Sequence, residues 1–274
     1  MITVTGATGN VGTILVSTLI AAGEQVSAVS RGAAEFPSGV VHHRADLSDP
    51  SSLAPAVDGS DALFVLLPGE MADIDPHKIF ATAEAGGVRR VVLLSSQGVV
   101  SRPMHAPLGA FEEALKESGL GWTVLRPAGF ASNAFMWAES ARTARMAAAP
   151  FADVALPVVD PADIAAMAAA ALLDAKHDGR TYTVTGPAPI SPREQVAAIA
   201  AAVGADIGFH ELSRDDAFTA MSAFMPAEAV EATLAILGEP TDHERTVSAD
   251  VREVLGRPAG SFAGWAARNA AAFA

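Results

Sequence analysis

Seven residues near the start of the chain, Gly6-Ala-Thr-Gly9-Asn-Val-Gly12, restrict its fold more than any other stretch. They lie between a short β-branched run, residues 2–5, and a helical stretch, residues 11–22. Glycines at this spacing suit a tight turn from a strand into a helix. One glycine allows the turn, the next lets backbone approach a pyrophosphate, and the third lets the helix pack close to the strand. The amides at the helix start then face the anion. The motif predicts a dinucleotide site at the first strand-to-helix turn; the alternative is a glycine-rich turn without a ligand.

The same rhythm repeats toward the C-terminus. Apolar runs at 25–30, 40–43, 61–67, 91–95 and 122–126 alternate with helical stretches at 50–57, 76–85 and 108–117. Strand, helix, strand in succession implies a parallel sheet wound on both faces. Runs such as ALFVLL and VVLL are continuous rather than alternating, as expected of strands covered by helices on both sides. Beyond Arg126 the rhythm loosens over 130–146, an aromatic and methionine-bearing stretch read as substrate-side material. Asp160-Pro161 starts an alanine-rich helix running to about 173, 181–185 reads as a strand, and Ser191-Pro-Arg-Glu194 is a capping box. A strand at 208–212 and helices at 213–224 and 227–237 complete the pattern. The expected fold is α/β, a doubly wound parallel sheet with a smaller, mainly helical C-terminal lobe. Residues 1–130 and 155–186 are assigned to nucleotide binding, and 131–154 and 187–274 to substrate binding.

Composition removes several competing functions. Lys and Arg total 18 against 31 Asp and Glu, a net charge of −13, so the surface field repels nucleic acid and anionic lipid. With no cysteine there is no disulfide, thiolate nucleophile or Cys-ligated metal. His42 and His43 are adjacent on a strand and point to opposite faces, so no metal site is expected. A hydrolase G-x-S-x-G elbow is absent. The glycine motif leaves no room for a signal peptide before Gly6, and the longest apolar run, 164–173, is shorter than the ~18 residues that cross a bilayer. A cytoplasmic location is expected, with no nucleic acid or membrane partner and the oligomeric state left open.

The second strand ends in Ser30-Arg31, where an acidic residue would hold the 2′-hydroxyl of NAD and an arginine instead meets the 2′-phosphate of NADP. Arg31 favours NADP(H), with NAD(H) admitted; the alternative is a solvated surface arginine. Asp46-Leu47, after the third strand, is a candidate for the adenine edge or an ordinary loop.

Together with Leu94-Ser95-Ser96, Glu112, Ser118-Gly119-Leu120, Leu125-Arg126-Pro127, Asn133 and the tail Val254 to Trp265, these segments resemble the NmrA-like, atypical short-chain dehydrogenase/reductases over nearly the whole chain. The resemblance implies a Rossmann domain with Gly6, Thr8, Gly9, Asn10, Val11 and Gly12 round the pyrophosphate and Arg31 at the ribose phosphate. It also implies Leu66, Leu67 and Pro68 along the cofactor path, Ser95 and Ser96 near the nicotinamide, and Pro127, Ala128 and Phe130 flanking its carboxamide. Members of that group include quinone reductases and redox-sensing regulators.

One departure is informative. Short-chain dehydrogenases typically use a Tyr-x-x-x-Lys pair as proton donor, but aligned on the Glu112 helix those positions fall near Met104 and Leu108, and the only tyrosine is Tyr182. Ketone reduction yields an alkoxide that needs an acid, whereas a reduced quinone is a phenolate. The expectation is therefore an NADPH-dependent oxidoreductase acting on a quinone-like or conjugated aromatic, polyketide-type substrate, as in a tailoring step of secondary metabolism. Two alternatives are reduction followed by monooxygenation with O2, and a regulator that senses NAD(P) without chemistry. An isomerase or epimerase is a further option. Catalytic candidates are Ser95, Ser96 and Gln97 as hydrogen-bond donors and His105 as acid/base; the competing roles are turn-capping hydroxyls and a solvated loop histidine. Met104, Phe130, Asn133 and Trp137 are the substrate-binding candidates. Phe135, Met136 and Met146, with Phe218, Met221, Phe224 and Met225, form either the rest of an apolar pocket or plain core.

Overall fold

The computed structural model describes residues 1–69, 71 and 73–274. In chain order its strands are β1 (Ile2–Thr5), β2 (Val26–Ser30), β3 (Val40–Arg44), β4 (Ala62–Leu66), β5 (Arg90–Leu94), β6 (Gly121–Pro127), β7 (Met146–Pro150), β8 (Arg180–Val184) and β9 (Gly208–Leu212). Its helices begin with α1 (Gly12–Ala21), α2 (Pro50–Val57), α3 (Pro76–Ala85), α4 (Ala106–Glu117), α5 (Ala138–Ala144) and α6 (Pro161–Leu173). They continue with α7 (Pro192–Val203), α8 (Arg214–Met221), α9 (Ala227–Gly238), α10 (Asp242–Arg245), α11 (Asp250–Leu255) and α12 (Phe262–Arg268).

The chain forms two compact units, one of residues 1–127, 161–184 and 250–257, the other of 128–160, 185–249 and 258–274. The first carries a seven-stranded sheet in the order β3-β2-β1-β4-β5-β6-β8, every pair parallel. This is the doubly wound Rossmann order with β8 added at one edge. Helices α1 and α6 pack together, and α2, α3 and α4 form a second row. Asp49 and Asp75 accept backbone hydrogen bonds at the starts of α2 and α3, each with a proline in the first turn. Leu63, Val65, Val91, Leu93 and Val124 lie in a buried cluster with Leu53, Ile79, Phe80 and Leu115.

The second unit is mainly helical, with its own core of Trp137, Val196, Ile199, Phe262, Trp265 and Phe273. The capping box of α7 is present, Ser191 accepting from the Glu194 amide and Glu194 from the Ser191 amide. Two features differ from expectation. The 130–146 stretch is ordered as a 3-10 helix, Ala131–Trp137, followed by α5, and the unanticipated strand β7 pairs in parallel with β9. Its sequence, Met-Ala-Ala-Ala-Pro, has almost no β-branched character, so local preference gave no sign of it.

The unit boundaries also differ from those read in the sequence. Residues 155–160 belong with the second unit, because Leu156 and Ile190 exchange backbone hydrogen bonds and Val159 bonds Gly129 and Ala131. Residues 250–257 return to the first unit, where Asp250 accepts from the Thr183 amide at 2.6 Å and Arg257 pairs with Asp163 at 2.7 Å.

Candidate functional site

Strand order reverses between β1 and β4, each of which pairs with the other and with an outer neighbour. Ligands of open α/β sheets bind beyond the carboxyl ends of the strands at such a point. A cleft of about 200 Å³ opens there, lined by Thr5, Gly6, Thr8, Gly9, Val29, Ser30, Arg31, Ala45, Asp46, Leu47, Leu66 and Pro68. Thr5 ties the two strands at this edge: its hydroxyl oxygen accepts from the Leu66 amide at 2.8 Å.

The floor of the cleft requires glycine. Gly6 adopts φ +62°, and a Cβ there would meet the Leu66 side chain at 3.0 Å. A Cβ on Gly12 would lie 2.1 Å from the Gly6 carbonyl oxygen, so no other residue fits without moving α1. The N-cap residue of α1, Val11, makes no side-chain cap, as suits a helix start that faces an anion. These features, with Arg31 on the wall, fit the adenosine diphosphate portion of a dinucleotide.

At the β2 end the Ser30 hydroxyl donates to the Gly32 carbonyl at 2.8 Å and lies 2.9 Å from His42 Nε2. With the Ser30 proton on Gly32, His42 Nε2 is the donor of that second bond. Asp46 accepts from the Ser48 amide at 3.0 Å and the Ser48 hydroxyl at 2.8 Å. Those bonds, with the Arg31 charge as a smaller contribution, hold its carboxyl below the usual range.

The other residues expected round the cofactor differ in exposure. Val11 and Gly12 are buried beneath the turn, Asn10 is exposed, and Leu67 packs on the sheet core. Ser95 and Pro127 end up at the tips of β5 and β6, outside the lined cleft, and Ala128 opens the second unit. Thr5, Val29 and Ala45 line the cleft without having been singled out by sequence. Their signal was positional, since Thr5 ends β1, Val29 is the last residue but one of β2 and Ala45 directly follows β3.

Beyond β5 lies an arrangement that sequence reasoning missed. The buried Ser95 hydroxyl donates to Glu112 Oε1 at 2.6 Å, while Arg126 holds the same carboxylate through Nε at 3.0 Å and Nη2 at 2.5 Å. Glu112 is only 1% exposed. Nothing local marks a helix glutamate as buried; only the sheet brings α4 over β5 and β6. Because a serine has one proton, Ser95 does not donate to a substrate oxygen while it serves Glu112. Ser96 accepts from the Gly98 amide at 3.1 Å, a turn cap whose own proton is not used by that bond. Gln97 is buried, and its Oε1 has no partner among the described residues. The His105 ring rests on Gly98, where a Cβ would stand 2.5 Å from it, and is half-buried.

Met104 is 42% exposed, and of the second-unit candidates Asn133 is exposed and Phe130 partly buried. Trp137 differs from expectation: it is buried in the core with its indole N–H on the Ala148 carbonyl at 2.9 Å, because the 3-10 helix turns it inward. Phe135 stacks on Phe273 and meets Trp265 edge-on. Phe218, Met221 and Met225 pack round Ala217, Val230 and Leu234, whereas Met136 and Phe224 are exposed. Among the described residues no group of three or more His, Asp or Glu is arranged to hold a metal, and no helix is long and apolar enough to cross a membrane.

Comparison with known proteins agrees with this fold and cleft. Residues 6–175 match a family described as NAD(P)H-binding. The chain is 36% identical over 286 residues to a (4-alkanoyl-5-oxo-2,5-dihydrofuran-3-yl)methyl phosphate reductase of Streptomyces griseus, covering 100% of this chain and 99% of that protein. It is 32% identical over 283 residues to an NAD(P)H azoreductase of Xenophilus azovorans, with 100% and 99% covered. Among solved structures, an NADPH-dependent quinone oxidoreductase of Escherichia coli complexed with NADPH superposes with a TM-score of 0.80 at 22% identity, covering 98% of this chain and 99% of the other. The chain belongs to the NAD(P)H-binding family and, within it, groups with NAD(P)H-dependent reductases.

Proposed function

We propose that the protein is an NADPH-preferring reductase of a conjugated acceptor, a quinone-like or polyketide-type aromatic or an activated enone. The observation that carries this reading is the state of the proton donors beyond β5. Positions 104 and 108 hold Met and Leu, and the Ser95 proton is bound to a buried carboxylate. A bound dihydronicotinamide supplies a hydride. The chain must then meet the charge that develops on the acceptor without a strong acid. Hydroxide, a base comparable with an alkoxide, has a conjugate acid of pKa about 15.7. A phenolate's is about 10. The difference, about 6 units, is roughly 8 kcal/mol of proton affinity that the protein need not supply for a delocalised product. Ser96 and the Gln97 amide can still donate hydrogen bonds, and water can protonate the product afterwards.

The relatives' substrates support this. A 4-alkanoyl-5-oxo-2,5-dihydrofuran has a ring C=C conjugated with two carbonyls, and an azo dye has an N=N between aromatic rings. Each takes two electrons at a site whose anion is delocalised, as a quinone does. Arg31 on the cleft wall supports NADPH over NADH. The test is anaerobic oxidation of NADPH, and in parallel NADH, against a quinone, an acyl butenolide and a saturated ketone. Turnover with the first two and none with the third is expected. Tight nucleotide binding without turnover across the panel would instead identify a sensor.

A further inference from the structure

Arg44, at the end of β3, carries no sequence signal of its own, yet it stands beside the feature that favours NADPH. In the β2–β3 register Ser30 is opposite Arg44, and Arg44 Nε donates to the Arg31 carbonyl at 2.8 Å. That bond uses one of five guanidinium N–H groups and leaves both Nη nitrogens available. The chain carries a net charge of −13, and Arg89, Arg90, Arg126, Arg193 and Arg214 each hold a carboxylate. Neither Arg31 nor Arg44 forms an ion pair among the described residues, and the nearby Asp46 carboxylate is tied to Ser48. Two exposed cations, neither in a salt bridge among the described residues, thus lie at adjacent strand ends, Arg31 on the cleft wall and Arg44 beside it.

The turn bearing Arg31 is braced from both sides. Ser30 bonds the Gly32 carbonyl, His42 bonds Ser30, and the His42 ring lies against Phe36 with centroids 5.2 Å apart. Such bracing lowers the ordering cost of presenting Arg31. A ribose 2′-phosphate carries a charge of about −1.5 to −2 at neutral pH, by analogy with other phosphate monoesters, and offers three acceptor oxygens. A single guanidinium fork meets two of them.

We propose that Arg44 is the second cation of a 2′-phosphate subsite shared with Arg31, touching the phosphate through its free Nη edge and so setting the discrimination between NADPH and NADH. The proposal rests on the reading of an NADPH-preferring cleft and adds a residue to it. Arg44 has two distinct contributions, a direct contact with phosphate and the bond that holds the Arg31 carbonyl. The direct contact is the one claimed.

Calorimetric titration of the full chain with adenosine 2′,5′-bisphosphate and with AMP separates these without any turnover. The wild type should bind the bisphosphate more tightly. Arg44→Ala should weaken the bisphosphate about tenfold or more, the size of a lost charged hydrogen bond, while AMP changes less than about twofold. Arg44→Lys should recover part of the loss. In an Arg31→Ala background, Arg44→Ala should still cost the bisphosphate several-fold. Equal weakening of both nucleotides, or no effect of Arg44→Ala in the Arg31→Ala background, would show that Arg44 only braces the turn and overturn the proposal. Equal wild-type affinity for the two nucleotides would overturn the NADPH reading itself, a distinct result.

Discussion

Replacing Glu112 with alanine removes one carboxylate that serves two buried partners. Ser95, 7% exposed, loses its acceptor, and Arg126, whose side chain is 21% exposed, keeps its charge without the salt bridge to Glu112. Breaking a buried pair from one side costs about 3–5 kcal/mol, mostly from the stranded charge. With a urea m-value near ~3 kcal/mol/M, the upper end for small proteins, this lowers the unfolding midpoint by about 1–1.7 M. Removing both charges is a different perturbation, since hydrophobic replacement of a buried pair is often neutral or stabilising. The double variant Glu112→Leu, Arg126→Met should therefore be more stable than Glu112→Ala, with a coupling of about 2 kcal/mol or more in the cycle. Urea titrations followed by tryptophan fluorescence give all the midpoints. A loss below about 1 kcal/mol for Glu112→Ala, or additive single variants, would refute the reasoning, because either would mean the ion pair is effectively solvated.

Gly12→Ala should lower the melting temperature by about 2–12 °C in calorimetry, from overpacking of about 1–3 kcal/mol and about 2–4 °C per kcal/mol. It should also weaken nucleotide binding at least tenfold, since its Cβ meets backbone and cannot rotate away. Burial holds the His177 imidazole below its ordinary value, so it is neutral in the fold while the unfolded chain takes up a proton below about pH 6.5. Its contribution to stability is therefore present above that pH and lost as pH falls toward the lower folded value. His177→Gln should reduce the difference between urea midpoints at pH 7.5 and 5.5; an unchanged difference would contradict the assignment.

Much of the first unit is written in local patterns. β1, α2 and α3 match the expected ranges, and the other inner strands differ by a residue or two at their ends, because continuous apolar runs and Asp-Pro starts are local signals. The same holds for β9 and for the capping box at Ser191. Most of the cleft is legible too, since Gly6, Gly9, Ser30, Arg31 and Asp46 stand at strand ends that the alternation already identifies. What escapes depends on contacts between distant segments. Glu112 reads as an ordinary helix glutamate until α4 meets Ser95 and Arg126, and Arg44 as a surface arginine until β3 pairs beside β2. Trp137 misleads for the same reason. An aromatic stripe fits a pocket or a core equally well, and only the core formed with Val196, Ile199 and Trp265 decides between them.

Anaerobic incubation with NADPH deuterated at the transferable C4 position, an acyl butenolide and a saturated ketone in one vessel, read by mass spectrometry, follows the hydride itself. The account predicts one deuterium bound to carbon in the reduced butenolide and none in the ketone, whose alkoxide needs a proton that Ser95, bound to Glu112, does not offer. Deuterium in the alcohol at a comparable rate, or reduced butenolide without deuterium, would contradict it.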